Sequence, residues 1–530
     1  MASDMAKGAL KLTFGRGVHA SVRAKDVNVA ECVRGENFDL DIDFAGFRGR
    51  KAFDLVATTP NGARINGLGQ LVKANGDIST WVQSGGTVYS WDGSSTFAVI
   101  GSVSDSARLR GPRQHIWNLT DKLIVTDLAK VEPLKEWDGT TFQNVSHSLG
   151  STLYAKYALV ENERLLLGNV TTGSTATPHV LLASAMEDYT ILDNATRPLV
   201  AAALGSAWYL PLPDFKPING LFEGIGSIGL STEGGRIYRL KGTNKFDYEL
   251  EPFYLGSSAS GDEAVVNIGN DVLIGRAGHI DALSGTINYG DVEADDVEKW
   301  IQPLVEDVTS WTMTYDQRLQ KVFCVPDGGN LIWVLYKNVL ASGDGLSPWS
   351  KWTTVHSSSF QPTTMMALKR PSDGIDVVYF GDTAGNIYQM DGSGGQDGGS
   401  SDITAFRESG LLVPPTKDQG AAPGVFDGDG YVDYRRLAAS SLTLKFQHAG
   451  VSIFDQSVTI ALPASETFSV FGGSAYFGGS FYYGDAFSNR IARQTFNVAG
   501  QSSGFQLRAE ISGANEFELD EIGLGFDTAD

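Results

Sequence analysis

Apolar and polar residues alternate with a period of two along most of this chain, and glycines cut the alternation into short runs. The clearest unit is SIGLSTEGGRIYRL, from Ser227 to Leu240: an apolar strand, a glycine turn and a second strand. Looser copies are TWVQSGGTVYSW (Thr80–Trp91), VLIGRAGHIDAL (Val272–Leu283), VFCVPDGGNLIWVL (Val322–Leu335) and VYFGDTAGNIYQM (Val378–Met390). Alternation turns one face of each strand toward a core, and glycine supplies the positive φ that tight hairpin turns demand, so each copy predicts a β-hairpin. Two weaker copies fill the gaps. LKEWDGTTF (Leu134–Phe142) echoes SWDGSSTF (Ser90–Phe97), and VLLASA (Val180–Ala185) reads as a strand with a degenerate turn.

Taking Val88, Leu134, Leu182, Ile237, Ile280, Leu331 and Ile387 as second-strand anchors, the intervals are 46, 48, 55, 43, 51 and 56 residues. A four-stranded propeller blade takes about 40–50 residues. The expected fold is all-β: a six- or seven-bladed β-propeller followed by a C-terminal antiparallel β-sandwich, with an irregular series of sandwiches as the alternative. The expected boundaries are an N-terminal segment over 1–50 packing on the propeller or a neighbouring subunit, a propeller over 51–395, a linker over 396–430 and a sandwich over 431–530. The linker rests on DGSGGQDGGSS (Asp391–Ser401) and the polar stretch after Pro414; the sandwich rests on SLTLKFQHAG, QTFNVAG and FQLRAEISG.

One stretch breaks the period. In GDVEADDVEKWIQPLVED, Val297, Trp300, Ile301, Leu304 and Val305 recur at helical spacing, with Pro303 expected to kink or split the helix. Asp291, Glu293, Asp295 and Asp296 cluster at its start, where a helix dipole favours anions; they read as a solvated helix start.

The chain has 530 residues, 62 of them glycine and only 18 proline, so glycine here punctuates turns rather than marking disorder. Its formal net charge of −21 argues against a protein that grips nucleic-acid phosphates. Cys32 and Cys324 are the only cysteines, which rules out a disulfide framework. The start of the chain carries no apolar signal-peptide core and no stretch approaches a membrane span, so a soluble protein assembled in a cytoplasm, without a membrane anchor, is expected.

The search for chemistry is unproductive. The seven histidines are scattered, with no HxH or HExxH and no phosphate loop, so no metal or cofactor is expected. FDGDGYVD places Asp427, Asp429 and Asp433 like a calcium loop, but Val432 stands where the sharp turn needs glycine, and a plain turn is the better reading. WDGSSTF and WDGTTF read as blade turns. Paired carboxylates of the glycosidase kind can always be found among 62 acidic residues and discriminate nothing. No enzymatic activity is expected.

One stretch asks for a partner. FGGSAYFGGSFYYGDAF (Phe471–Phe487) sets seven aromatics among glycines and repeats itself within a few residues. Contact area on so permissive a backbone suits a sugar platform, a nucleotide-stacking surface or a protein–protein contact, with Tyr476, Phe477, Phe481, Tyr482 and Tyr483 as the candidate contact residues.

GENFDLDIDFAGFRGRKAFDLVATTPN (from Gly35), GDEAVVNIGNDVLIGRAGHIDALSGTINYGDVEADDVEKWI (from Gly261), LSPWSKWTT (from Leu346) and the FGGSAYFGGSFYYGD element together resemble the tail nozzle, or tail tubular, family of short-tailed bacteriophages, which carries a β-propeller. The similarity runs over nearly the full length and lies in structural motifs. It implies a structural virion protein of the phage tail, assembled in the host cytoplasm, with Tyr476, Phe477, Phe481, Tyr482 and Tyr483 as inter-subunit or tail-component contacts and Asp291, Glu293, Asp295 and Asp296 as an acidic lumen or surface. In that family six copies form a ring, joined to an adaptor or portal-side protein and to tail fibres or distal tail proteins. DNA is retained by and ejected through that ring, meeting the protein only in transit. A propeller glycan hydrolase and a host-receptor-binding tail module are the alternatives.

Overall fold

The computed structural model describes residues 7–40, 46–111, 121–197, 205–224, 227–242, 248–256, 258–269, 271–283, 295–343, 345–353, 361–390, 392, 396–412, 425–435, 440–448, 456–462, 491–497, 505–512 and 518–527. Among the described residues the regular structure is nearly all β, and the chain divides into two compact units. The central unit holds residues 55–332 and 357–390; the terminal unit holds 1–54, 333–356 and 391–530.

Seven antiparallel sheets follow one another along the chain. Sheet A joins Ile65–Val72, Ile78–Ser84, Thr87–Trp91 and Phe97–Ser102; sheet B, Leu109–Arg110, Leu123–Asp127, Lys135–Trp137 and Phe142–Asn144. Sheet C joins Leu153–Glu161, Arg164–Thr172, Thr175–Ala185 and Asp188–Leu192, with Trp208–Pro211 also on its third strand. Sheet D joins Ile218–Gly224, Ser227–Thr232, Arg236–Lys241 and Glu249–Leu255; sheet E, Val265–Asn267, Val272–Arg276, His279–Ala282 and Asp295–Asp296. Sheet F joins Trp311–Asp316, Lys321–Pro326, Leu331–Tyr336 and Trp349–Thr353, and the division between the units falls inside its third strand. Sheet G joins Thr364–Lys369, Asp376–Gly381 and Asn386–Gln389, and takes its fourth strand, Asp54–Thr58, from the other end of the chain.

The repeated hairpins are the second and third strands of these sheets. Gly85, Gly235, Gly278, Gly328 and Gly385 all hold positive φ at their turns, as the glycine pattern requires. Six of the seven anchors lie on third strands, and Leu134 directly precedes the third strand of B. Two copies were out of step. VLLASA is the end of a third strand whose hairpin partner is Arg164–Thr172, and the WDGSSTF and WDGTTF segments join third to fourth strands. Both of the latter are aspartate-capped turns: Asp92 Oδ1 accepts from the Ser94 N–H at 2.8 Å, and Asp138 Oδ1 from the Thr140 and Thr141 N–H groups at 2.8 and 2.7 Å.

Apolar side chains from facing sheets make the cores. Leu71, Trp81 and Val88 of A meet Leu123 and Trp137 of B. Ile124 of B meets Leu165 and Leu167 of C; Leu166 and Leu181 of C meet Leu230 and Tyr238 of D; Ile65 and Val82 of A meet Met366 and Tyr379 of G. Truncating one such buried aliphatic side chain costs about 2–5 kcal/mol, so each interface is held by several times the energy of a turn. The first strands approach one another in the order A–B, C–D, D–E, E–F, F–G and G–A, and the second strand of B approaches the first of C. Gly381 marks how closely G meets A: a Cβ there would lie 2.3 Å from that of Ile65.

The terminal unit has two principal sheets. One orders Arg34–Glu36, Thr404–Glu408, Phe505–Ser512, Ser440–His448 and Gln456–Leu462. The other orders Phe38–Asp39, Phe47–Gly49, Glu518–Asp527, Val425–Arg435 and Ile491–Asn497, with Lys7–Leu12 also on Glu518–Asp527. Alternate residues Leu442, Leu444 and Phe446, and Leu507, Ala509 and Ile511, are buried. The first fifty residues were expected to pack on the propeller or a neighbouring subunit; they supply strands to these sheets, and the Val18 and Asn37 N–H groups also donate to the Trp349 and Lys351 carbonyls on the fourth strand of sheet F. The stretch 396–430 was expected as a linker, yet it contains Thr404–Glu408, the start of Val425–Arg435 and a small hairpin of Gln396–Asp397 with Ser401–Asp402.

Two further expectations need correction. The helix shrinks to one turn, Gln302–Val305, with Pro303 inside its first turn, where its missing N–H costs nothing. Asp295 and Asp296 are not at a helix start: they pair with Ala282 and Asp281 as the fourth strand of E. FDGDGYVD is not a turn either but part of the strand Val425–Arg435, whose register on Glu518–Asp527 shifts between Phe426 and Gly430.

Candidate functional site

Charged residues collect around the first strands of the central unit. Arg108 and Arg110 are two apart on an extended chain and so project to the same side. Asp262 and Glu263 precede the first strand of E, and Lys156 and Tyr157 lie on the first strand of C. The Arg110 Nε and Nη2 groups clasp the two oxygens of Glu263. Arg110 Nη1 donates to the carbonyls of Asn66 and Leu109 at 2.9 and 2.8 Å. Asp262 accepts from Arg108 Nη1 and Lys156 Nζ, each at 3.2 Å.

Arg110 and Glu263 are only 9 and 14% exposed, so their attraction is poorly screened by water. Sheets B and E stand three places apart in the order of first-strand approach, so this pair joins sheets that are not neighbours in that order. Burial, and after it Asp262, pushes the Tyr157 phenol well above its ordinary range, which keeps it a neutral donor. Gly261 sets the approach of the acidic pair: its φ is +118°, and a Cβ there would lie 2.4 Å from the Trp311 carbonyl oxygen.

At the far ends of the first strands of C and D, Glu161 and Glu223 are both raised by burial, and Glu161 adds to the shift of Glu223. A glycosidase needs two carboxylates driven apart, one protonated and one ionised. Here both move the same way. A groove of about 540 Å³ between sheets D and E is lined by Glu233, Arg236, Leu255, Ser258 and Arg276. Arg276 is already engaged by Asp281 at 2.8 Å and Asp296 at 3.4 Å, which weakens any pull on an anion.

Of the residues singled out from the sequence, Tyr476, Phe477, Phe481, Tyr482, Tyr483, Asp291 and Glu293 lie outside the described residues. Asp295 and Asp296 sit on the fourth strand of sheet E, at the opposite edge from its first strand, with Asp296 55% exposed at its side chain. The ionic cluster of Arg108, Arg110, Lys156, Asp262 and Glu263 was missed. Its signal was available in the Arg-x-Arg spacing and in the GDE that opens one of the family-like stretches, but no local rule pairs positions some 150 residues apart.

The terminal unit has a counterpart at Arg50. Its Nη1 and Nη2 meet Asp397 Oδ1 and Oδ2 at 2.9 and 2.6 Å, and its Nε donates to Asn37 Oδ1 at 2.9 Å. Nη1 and Nη2 also donate to the carbonyls of Lys51 and Thr353 at 2.9 Å each, so all five guanidinium N–H groups have acceptors. Its carbon stands 4.0 Å from the centroid of the Phe53 ring.

No family model and no curated protein matches this sequence. Among solved structures, the extracellular domain of the one-component system BT4673 from B. thetaiotaomicron is 13% identical at a TM-score of 0.42, over 64% of this chain and 40% of that one. The BBS1N chain of a complex with ARL6DN is 9% identical at a TM-score of 0.42, over 65% of this chain and 98% of that one. The computationally designed Ika8 protein is 12% identical at a TM-score of 0.35, over 64% and 99%. These likenesses are too distant to bear on function. Among the described residues, no helix is long and apolar enough to cross a membrane.

Proposed function

We propose that the central unit is a seven-bladed β-propeller, that the two sheets of the terminal unit form a sandwich, and that the protein is a structural component of a short-tailed phage tail, assembling as a nozzle ring. One feature above all supports the propeller: the order of first-strand approach returns from sheet G to sheet A, while Asp54–Thr58 completes G from the opposite end of the central segment. Fastening a last blade with an early strand leaves no open edge to fray, as a body carrying axial load needs.

The tail role rests on the family-like stretches, and the charge distribution agrees with it. A chain with a net charge of −21 does not hold phosphate by counterion release, so DNA can slide past it. The Arg110–Glu263 pair ties sheet B to the segment that leads into sheet E, so on this reading the DNA path belongs between subunits of the ring and not within one propeller. Portal-side and distal tail proteins are the expected neighbours, and no hydrolytic role is assigned.

Imaging of the assembled particle should show six copies around the tail axis; a monomer there would end this reading. Replacing Tyr476, Phe477, Phe481, Tyr482 and Tyr483 together by Ser should leave circular dichroism and melting of the central unit unchanged but block incorporation into tails, since each interface aromatic is worth about 2 kcal/mol and the loss repeats in every copy. Normal assembly with lost adsorption to host cells would instead make that segment a receptor contact.

A further inference from the structure

The rim of sheet E carries a group that the tail reading does not use. His279 opens the third strand, Asp296 closes the fourth, and Glu298 follows two residues on. One donor atom from each lies within 4.8 Å of the others. Glu298 is 99% buried at its side chain and is held at both oxygens: Oε2 accepts the Ile280 N–H at 3.1 Å, and Oε1 meets His279 Nδ1 at 2.7 Å. That contact fixes the imidazole, which is one-third exposed, with Nδ1 and a Glu298 oxygen turned toward each other, the two atoms an ion would share. Three formal negative charges, Asp281, Asp296 and Glu298, face the single cation Arg276, so with a neutral imidazole the group carries −2. Lys299 turns its ammonium to the Trp300 ring, 4.4 Å from the centroid.

We infer that His279, Asp296 and Glu298 form a divalent-metal site of the zinc class, tying the third and fourth strands of sheet E together. One imidazole and two carboxylates, with no thiolate, suit Zn²⁺ or Co²⁺ over softer ions, and the imidazole disfavours Ca²⁺ and Mg²⁺. The ion would take the place of the proton between Nδ1 and Oε1, parting those atoms from 2.7 Å to roughly 3.4 Å for bonds of about 2.0–2.2 Å, and would draw Asp296 inward. The exposed Asp296 can supply that movement, trading its longer contact with Arg276 for the ion while Arg276 keeps Asp281. The site owes nothing to ring formation.

Titration of ZnCl₂ into the chelator-treated full chain, followed by calorimetry, should reveal a site that His279→Ala weakens at least tenfold. Asp296→Asn, at an exposed position where folding is not at stake, should weaken it to a similar degree. Co²⁺ should give a visible absorption band that both variants lose. Melting curves without metal should be unchanged for Asp296→Asn, separating loss of the site from loss of the fold. The inference is overturned if the full chain takes up no Zn²⁺, or if Asp296→Asn binds it as tightly as the parent.

Discussion

In sheets A to F every strand but Trp208–Pro211 of C lies beside the strand that precedes it in the chain, whereas the terminal unit pairs Lys7–Leu12 with Glu518–Asp527 and Arg34–Glu36 with Thr404–Glu408. Sheets A to F thus close mostly short loops before their contacts form, and only G waits for a distant strand, Asp54–Thr58. The terminal unit must bring the two ends of a 530-residue chain together first. Loop-closure entropy grows slowly with length, so the second route is thermodynamically open, but its contacts come late and are exposed to failure while they wait. The ion pairs of the two units reflect this. Arg110–Glu263 fastens a body already held by apolar sheet-to-sheet cores, while Arg50–Asp397 joins segments 347 residues apart.

The sharpest break in this comparison is Asp397→Ala. It strands a fully buried guanidinium and removes the acceptor of the Phe53 N–H, a loss of about 3–5 kcal/mol. Denaturant titration should then show the terminal unit melting ahead of the central one; a single transition shifted as a whole would mean that the units do not fold separately. Glu263→Gln should cost the central unit about 2 kcal/mol, because the Gln amide can replace only part of the charge-assisted clasp. If the double variant Arg110→Met with Glu263→Gln lost the sum of the single losses, the pair would not be coupled.

The smallest effect belongs to a turn. Burial alone would raise Asp138, but hydrogen bonds from Thr141 and Thr140, with Lys73 nearby, outweigh it and hold the group at about 2. Its folded value lies below the unfolded value of about 3.9, so its contribution is full above about pH 4 and fades as pH falls toward 2. Asp138→Asn should cost about 1 kcal/mol at neutral pH, less than the shift alone implies because water screens the site, and the difference from the parent should vanish near pH 2.

The strand pattern was legible because it is local. Alternation and a turn glycine occupy a dozen residues, and that sufficed for seven anchors on or beside third strands. The helix failed for the same reason that the hairpins succeeded: Val297, Trp300, Ile301 and Val305 are buried as helical spacing demands, but β pairing of Asp295–Asp296 with Ala282 and Asp281 claimed the start of the segment. Gln396–Asp397 read as linker because nothing nearby tells that Asp397 will meet Arg50.

The sequence by itself determined that this chain is built of short antiparallel strands, where most of its hairpins turn, and that its surface is acidic, since these follow from the period of apolar residues, the conformational freedom of glycine and a count of charges. Only the tertiary structure decided that the first fifty residues belong with the last hundred, that an early strand completes the last sheet of the central unit, and which of its many acidic residues face a cation. Those outcomes depend on pairings between positions hundreds of residues apart, and a contact energy exists only once both partners are in place.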